Sequence, residues 1–424
     1  MRILLLSAAP CVNDARPRFA AAQLADLGHD VILVCRAAPG EPERENLSGA
    51  RLIRVDFDAL APVFAARAVR WPTRLLAAYI AFLRRISDLI GWRGAARLLA
   101  LTWEFFALAG AADAVVQREW QGRFDMAHGS GLAALPGAGR LATAYGARLV
   151  YDSIELECGR NARYFPPFKW LRLRLERWWI RRCHGCAAVS ADIARQLARD
   201  YGVRRPMTIH NVGPRMVGAP GLRRAFAAGG DAPIAVYVGA AASDRGLEAS
   251  IAGAGATPGL RLAIVGPLTE QLEDRYGRLI DAAGIRDRLY VGAARPPAEA
   301  AAFISDGDIA LAMAAPSCAS YVFALPNKLF YAVQAGLPIL VGRTRALREA
   351  VANYGIGEAV DERDTAAVSA AMRRLAERKH EPSYARARAV FLTEHGAAAM
   401  AGAWARLYAH AAAARETLSG REIV

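Results

Sequence analysis

Asn327 and Lys328 place an amide and an ammonium group inside the otherwise apolar stretch "LPNKLFYAVQAGLPILV", residues 325–341. Lysine is rare in this chain, because only 3 of its 54 basic residues are lysine and the other 51 are arginine. An ammonium group is a compact point charge that binds phosphate where a planar guanidinium does not fit. The residue type therefore favours an anion-binding role for Lys328, and the alternative is that a lysine stands there by chance.

The residues around this pair predict a helix that begins beside them. Pro326 suits the first helical position, where its missing N–H is not needed, and Gly336 would end the helix before the strand "LPILV". Free backbone N–H groups and the helix dipole attract anions at a helix N-terminus. We therefore expect Asn327 and Lys328 to lie at an anion-binding position.

A second cation, Arg245, follows the predicted strand "IAVYVG" (234–239). It stands in the loop "GAAASDRGLE" (239–248), whose small residues, beginning with Gly239, allow a ligand to approach the backbone. Two strand-end cations from one domain, Arg245 and Lys328, form a candidate clamp for a pyrophosphate group.

The elements that must position these residues follow a regular pattern. Short runs rich in Val, Ile and Leu alternate with helical patterns, first up to Val203 and again from Ile234 onward. A Pro- and Gly-rich stretch, "RRPMTIHNVGPRMVGAPG", separates the two series. Runs that are apolar throughout are typical of parallel strands covered on both faces. The pattern predicts two doubly wound α/β domains that face each other across a cleft.

We place the domain boundaries where this pattern changes. The first domain takes residues 1–205 and carries a helical insertion at about 63–123, and a linker takes residues 206–230. The second domain takes residues 231–390, and residues 391–424 form a C-terminal helix that returns to the first domain, followed by a tail.

Two polar residues near the expected cleft are further candidates. Glu155 follows a predicted strand and could orient a substrate hydroxyl, or it could be a loop-surface carboxylate. Asn211 lies in the linker, where it could contact the donor, belong to a hinge, or bond its own backbone in a turn.

The net charge of +14 admits nucleic acid, an anionic membrane surface or an anionic substrate as partners. Aromatic–basic RNA signatures and helix–turn–helix patterns are absent from the sequence, so we expect no nucleic acid partner.

Six scattered cysteines suit a reducing cytoplasm better than a disulfide framework. The Cys183–Cys186 pair has no second pair at zinc-finger spacing, and the aspartate pairs 56/58 and 306/308 suit solvated strand ends, so no metal is expected.

The sequence predicts no bilayer-spanning segment, since no stretch reaches the ~18 uncharged apolar residues that spanning needs. Two segments nevertheless favour contact with a membrane surface. The insertion 63–123 interleaves nine arginines with four tryptophans, and "FKWLRLRLERWWIRR" (168–182) places Leu171, Leu175 and Trp178 on one helix face and arginines on another. The alternative is a helix packed on its own domain with solvated arginines.

Over nearly its whole length the chain resembles the family 4 glycosyltransferases of GT-B fold, especially bacterial enzymes that build capsular or exopolysaccharide. The long stretch "LPNKLFYAVQAGLP" is similar to that family's Pro-Asn-Lys-Leu-Phe-Glu-Tyr…Ala-Gly-x-Pro signature. "LVYDSIELE" (149–157) resembles its Tyr-Asp-x-His-Glu-Leu segment, and "RGLE" (245–248) resembles its second-domain phosphate loop.

The resemblance implies transfer of a sugar, with retention of configuration, from a nucleotide-sugar donor that we expect to be UDP- or GDP-linked. Such a transfer needs no metal or other cofactor. Arg245 and Lys328 match the family's two phosphate-binding cations and would stabilise the departing diphosphate. His128, Asp152, Asn327 and Tyr331 also fall on family motif positions and are candidate substrate- or nucleotide-binding residues.

The departures from the family pattern fall on polar site positions. Where the family often has a glutamate that binds two ribose hydroxyls, this chain has Tyr331, whose phenol cannot accept two hydrogen bonds as a carboxylate does. A family histidine is replaced by Ile154 and a common basic residue by Ala240, while a His-x-His-Asp cluster keeps only His128.

We conclude from the sequence that the chain is a cytoplasmic glycosyltransferase, peripheral on the inner face of the plasma membrane, that acts on a glycan or lipid-linked acceptor. The departures favour a rival, a catalytically silent homologue that binds a partner in polysaccharide assembly. A third interpretation, a nucleotide-sugar epimerase, would need paired acidic and histidine bases, for which only His128, Asp152 and Glu155 are available.

Overall fold

The computed structural model describes residues 1–12, 14–56, 93–160, 166–213, 216–226, 230–241, 244–266 and 270–414. The chain divides into two compact units. The first comprises residues 1–209 and 401–424, and the second comprises residues 210–400.

The first unit contains an eight-stranded sheet with the order β3-β4-β2-β1-β5-β6-β7-β8. All neighbouring strands are parallel except β3 and β4. The strand order reverses between β1 and β5, which makes that point the switch point of the sheet. The strands are β1 (Arg2–Ser7), β2 (Asp30–Arg36), β3 (Arg44–Leu47), β4 (Ala50–Val55), β5 (Met126–Ser130), β6 (Arg148–Ser153), β7 (Gly185–Ala188) and β8 (Met207–Thr208).

Helices cover this sheet, which explains why its central strands are apolar throughout: residues 3–6 of β1 are completely buried. The helices are α1 (Ala15–Asp26), α2 (Arg93–Trp120), α3 (Leu135–Tyr145), α4 (Pro166–Ile180) and α5 (Ala191–Tyr201). The last helix, α15 (Ala397–Ala413), begins in the second unit and belongs to the first unit from residue 401 onward.

The second unit contains a six-stranded, wholly parallel sheet with the order β11-β10-β9-β12-β13-β14. Its order reverses between β9 and β12, so that the loops after these two strands diverge and leave room for a ligand. The strands are β9 (Ile234–Val238), β10 (Arg261–Val265), β11 (Leu289–Gly292), β12 (Ile309–Ala312), β13 (Ile339–Val341) and β14 (Gly357–Ala359).

Nine helices of the described chain lie wholly in the second unit. They are α6 (Leu222–Ala225), α7 (Leu247–Gly255), α8 (Glu270–Ala282), α9 (Pro297–Ile304), α10 (Ala319–Phe323), α11 (Asn327–Ala335), α12 (Arg345–Tyr354), α13 (Thr365–Arg378) and α14 (Pro382–His395). The core of this unit is built from β9, β10 and β12 against α7 and α13.

The prediction of two α/β domains with parallel sheets is confirmed. Every apolar run that the sequence identified as a strand is a strand, from "RILLLS" to "LPILVG". The sequence missed three edge strands, β3, β8 and β14. Their residues, RENL, MT and GEA, contain no apolar run that would indicate a strand.

The first part of the predicted helical insertion, residues 63–92 with Trp71 and Trp92, lies outside the described residues. Its described end is helix α2, whose Trp120 is buried and donates a hydrogen bond from Nε1 to Asp30 at 2.7 Å. Among the described helices, none has the length and hydropathy needed to cross a bilayer.

Candidate active site

Helix α11 begins at Asn327 and presents Lys328 in its first turn. Pro326 is the residue before the helix, with extended backbone angles (φ −75°, ψ 159°), one position earlier than the sequence predicted. Gly336 ends the helix in the left-handed region at φ +77°, which is the conformation that favours glycine at a helix C-terminus. The local sequence therefore fixes both ends of the helix that carries the lysine.

The side-chain nitrogen of Lys328 is buried, and no carboxylate of the described residues pairs with it. Its Nζ atom has no hydrogen-bond partner among the described residues and lies 3.3 Å from the centroid of the Tyr237 ring. Burial holds the pKa of Lys328 well below its ordinary value, and the positive charge of Arg245 lowers that pKa further. An anion brought to this position would supply the missing acceptor and restore the charged form.

Arg245 lies in the loop between β9 and α7, two residues before the first residue of that helix. Its Nε atom is 3.5 Å from the hydroxyl oxygen of Tyr321, on α10. The residue after it must be glycine, because a Cβ atom at Gly246 would lie 2.1 Å from the carbonyl oxygen of Met313. This close approach holds the arginine loop against the end of β12.

Gly239 follows the last residue of β9 and lies beside Lys328. Its φ of +118° disfavours any other residue, and a Cβ added there would lie 3.5 Å from the Cε atom of Lys328. The structure therefore brings Gly239, Arg245 and Lys328 together at the switch point between β9 and β12. Two cations and the N-termini of α7 and α11 give this point the chemistry of a diphosphate site.

Asn327 and Tyr331 lie on α11 four residues apart, about one turn of the helix. Burial raises the pKa of the Tyr331 phenol to about 12, although the Asn327 side chain acts on that pKa in the opposite direction. The ring packs so closely on Gly213 that a Cβ atom there would lie 2.9 Å from Cε1. Nearby in sequence, Asn211 has a buried Oδ1 atom with no hydrogen-bond partner among the described residues.

Asp152 and His128 lie together in the first unit, on neighbouring strands at the centre of its sheet. Both carboxylate oxygens of Asp152 accept hydrogen bonds from Arg16, whose Nε is 2.6 Å from Oδ2, and both side chains are almost completely buried. Arg16 also donates to the carbonyl of Ile209 at 2.7 Å and lies over the ring of Trp404. Asp152 thus fixes the guanidinium that ties α1 to the segment after β8.

His128 is completely buried, and its Nδ1 atom lies 2.7 Å from the hydroxyl oxygen of Tyr408 on α15. Burial lowers the pKa of His128 to about 4, so the imidazole is neutral at pH 7. Its Nε2 atom has no partner among the described residues. Its role in substrate binding, like that of Asp152, stays a prediction.

Glu155 lies in the loop after β6, half-buried, with Oε2 2.8 Å from Nε of Arg160. The Ile154 side chain beside it is 38% exposed and would be 3.1 Å from a Cβ placed on Gly131. The structure does not bring Glu155 into contact with Asp152 or His128 through any hydrogen bond between the described residues. Glu155 therefore remains a candidate apart from Asp152 and His128.

Asp306 and Asp308 both accept hydrogen bonds from the segment that begins helix α6. Asp306 accepts hydrogen bonds from the backbone N–H groups of Leu222 and Arg223, and Asp308 accepts two from the Arg223 side chain. In the described part of the chain, no group of three or more His, Cys, Asp and Glu side chains is arranged to hold a metal ion. Asp58, of the other pair, lies outside that part.

Sequence reasoning missed the tyrosines that surround the two cations. Tyr237 is a polar aromatic residue inside the otherwise aliphatic strand β9. That contrast in residue type could have identified it from the sequence as a candidate site residue. Tyr321 had no signal, since nothing in its local sequence indicates that α10 approaches Arg245. Arg16 was also missed, because its partner Asp152 is 136 residues away.

The sequence matches two protein-family models. Residues 17–213 match the glycosyl transferase 4-like domain, and residues 220–389 match the glycosyl transferases group 1 family. No curated protein sequence matches the chain.

Solved structures with the same fold cover nearly the whole chain. Sucrose-phosphate synthase from Thermosynechococcus elongatus superposes with a TM-score of 0.69 at 16% identity, covering 96% of this chain and 98% of that one. HepE from Anabaena, in complex with UDP-glucose, gives 0.66 at 13% identity, with 96% and 99% covered. WaaG, a glycosyltransferase involved in lipopolysaccharide biosynthesis, gives 0.60 at 14% identity, with 96% and 99% covered.

The two family matches fall on the two halves of the chain in the order that GT-B enzymes have, and the structural matches show that fold. The expectation drawn from the Pro-Asn-Lys stretch is confirmed: the chain belongs to the GT-B glycosyltransferases, with a family 4-like first domain and a group 1 second domain.

Proposed function

We propose that the chain transfers a sugar, with retention of configuration and without a metal ion, from a UDP- or GDP-sugar to a membrane-associated glycan or lipid-linked acceptor. Arg245 and Lys328 stabilise the negative charge that develops on the nucleotide diphosphate as its bond to the sugar breaks. Asn327, which precedes Lys328, and Tyr331, three residues after it, contact the nucleoside in this proposal.

One observation carries the donor part of this proposal: Lys328 holds a buried ammonium group with no hydrogen-bond acceptor among the described residues. Leaving a charged donor unsatisfied in a protein interior costs several kcal/mol, and proteins keep such groups where a ligand completes them. A diphosphate is the fitting ligand because it offers several anionic oxygens to both cations and to the helix N-termini. UDP-glucose, which HepE binds, is the first donor to test.

Electrostatic stabilisation of the leaving group also supplies the catalysis. Removing one such donor from an active site typically lowers kcat by about 10²–10³-fold, or ~3 kcal/mol of barrier. Because the two cations act on the same diphosphate, losing both should cost less than the sum of the single losses.

The test measures turnover with a panel of UDP- and GDP-sugars, by release of the nucleotide, and compares the wild-type chain with Lys328→Ala. We expect one donor to support turnover and the variant to lose about 10²–10³-fold in kcat/KM. Lys169→Ala removes an exposed lysine from the first unit and serves as the matched control, which should keep full activity. Absence of turnover and of nucleotide binding across the whole panel would refute the proposal.

The catalytically silent homologue is the rival that Tyr331 favours, since a buried phenol stands where the family often has a ribose-binding carboxylate. Comparing the wild-type chain with Lys328→Ala distinguishes the enzyme from the silent homologue. An enzyme loses turnover when Lys328 becomes alanine, whereas a scaffold shows no turnover in either form and keeps its partner binding.

A further inference from the structure

Helix α4 buries two of its charged residues and exposes three of its large apolar ones. Arg172 points inward and donates to Glu157 at 2.7 Å, and Glu176, completely buried, accepts hydrogen bonds from the hydroxyls of Tyr151 (2.7 Å) and Tyr201 (2.6 Å). The sequence predicted that apolar residues would share one face of this helix. The structure differs because the inward charges find these partners on β6, α5 and the turn before α4.

The outward face of α4 consists of Trp170, Leu171, Arg174, Arg177 and Trp178. Their side chains are exposed, with fractions of 59% for Trp170, 42% for Leu171 and 43% for Trp178. At about 100° per residue these five positions fall within about 120° of the helix circumference, and Trp170 and Trp178 are about 12 Å apart along the axis. They therefore form one continuous strip.

Tryptophan exposure is confined to this strip within the described chain. The structure describes the side chains of five tryptophans: Trp120, Trp179 and Trp404 are at most 7% exposed, and the other two are those on the outward face of α4. Exposing two large aromatic side chains on one strip is costly in water, so the strip is suited to a partner.

The cations of this face are arranged around the indole rings. The guanidinium of Arg174 lies 4.9 Å from the centroid of Trp170, and that of Arg182, just beyond the helix, lies 3.7 Å from the centroid of Trp178. The only acid of the helix, Glu176, points inward. The outward face of α4 thus carries cations and large apolar side chains and no acid.

We infer that the outward face of α4 docks on the surface of an anionic lipid bilayer, with the helix axis parallel to the membrane plane. Indole rings favour the boundary between headgroups and acyl chains, and arginines beside them meet anionic headgroups. Charge complementarity decides the occupant: this face carries arginines and no acid, which suits a surface of anionic headgroups. The inference rests on the proposed function in one respect: docking would bring the enzyme to an acceptor that is bound to the membrane.

The test is co-sedimentation of the full chain with phosphatidylcholine vesicles, with and without phosphatidylglycerol. We expect binding only to the vesicles that contain phosphatidylglycerol, and quenching of tryptophan fluorescence when those vesicles carry brominated acyl chains. Arg174→Gln with Arg177→Gln should lower the partition coefficient by about 25-fold, at about fivefold for each lost cation. Trp170→Ala with Trp178→Ala should lower it by about tenfold or more and remove the quenching.

Two controls match these changes on the second unit. Arg278→Gln with Arg386→Gln removes two exposed arginines, and Val390→Ala trims an exposed apolar residue, and both should bind vesicles as the wild type does. The inference is overturned if the wild-type chain does not sediment with anionic vesicles, if it binds the zwitterionic vesicles equally well, or if the α4 variants bind like the controls. Nucleotide binding measured without vesicles reports separately on the proposed function and should be unchanged in the α4 variants.

Discussion

The Nζ atom of Lys328 lies 3.3 Å from the centroid of the Tyr237 ring, so an aromatic face stands where a carboxylate would ordinarily pair with a buried lysine. A cation–π contact in a desolvated site is worth about 2 kcal/mol. That is enough to orient the ammonium group, yet the ring does not occupy its three N–H donors as a carboxylate would. The lysine is therefore positioned and still available to an incoming anion.

The first prediction separates the ring of Tyr237 from its hydroxyl group. Tyr237→Phe keeps the aromatic face and loses only the 3.2 Å hydrogen bond to the Ala240 carbonyl, so UDP affinity should stay within about threefold of the wild type. Tyr237→Leu removes the face and should weaken UDP binding by about 5- to 30-fold. Titration calorimetry measures both, and equal affinities for the two variants would show that the ring does not orient the lysine.

Nucleotide binding should be accompanied by proton uptake. In the free protein, burial and the charge of Arg245 hold the pKa of Lys328 well below its ordinary value. A bound diphosphate favours the charged form and raises that pKa, so at any pH between the two values the complex binds more protons than the free protein. Calorimetry with UDP in buffers of different ionisation enthalpy should therefore show an observed enthalpy that depends on the buffer.

Lys328→Met is the control for this measurement. It fills similar volume without an ionisable group, and it should both abolish the buffer dependence and weaken UDP binding. A buffer dependence of the same size in this variant would assign the proton to another group, and its absence in the wild type at every pH tested would contradict the pKa argument.

The buried ion pair between Arg16 and Asp152 should be costly to break and much less costly to replace. Arg16→Met or Asp152→Leu alone leaves an uncompensated buried charge, and each should lower the free energy of unfolding by about 3–5 kcal/mol. The double variant removes both charges and should recover most of that loss. Differential scanning calorimetry checks this, and additive losses in the double variant would count against the pairing.

The sequence predicted most strands of both sheets because they are largely apolar. It placed Lys328 at a helix start because proline and glycine mark both ends of α11. These signals are local. The Arg16–Asp152 pair and the contact of Tyr321 with Arg245 arise from chain segments that are distant in sequence, 136 and 76 residues apart. No pattern in a single sequence indicates such a pairing.

Helix α4 shows a second reason why sequence reasoning fails. Helical periodicity separates apolar from polar residues, and it assumes that polar residues face water. Arg172 and Glu176 face the protein instead, because Glu157, Tyr151 and Tyr201 satisfy them there. The hydrogen-bond partners decided the orientation of the helix, and they are known only once the fold is known.

The same network gives the chain a pH-dependent stability that centres on Glu176. Burial raises the pKa of Glu176 to about 7, despite the hydroxyls of Tyr151 and Tyr201 and the charge of Arg172, which lower it. The pKa of Glu176 in the unfolded chain is near 4.5, so between pH 4.5 and pH 7 the folded chain holds a proton that the unfolded chain has lost. The free energy of unfolding therefore falls as the pH rises through this range, by about 3 kcal/mol in all. Glu176→Gln keeps the shape without the titration, and it should exceed the wild type in unfolding free energy at pH 8 and match it near pH 4. Denaturant unfolding across this range measures the difference, and parallel curves for the two proteins would show that Glu176 is ionised in both folded and unfolded states.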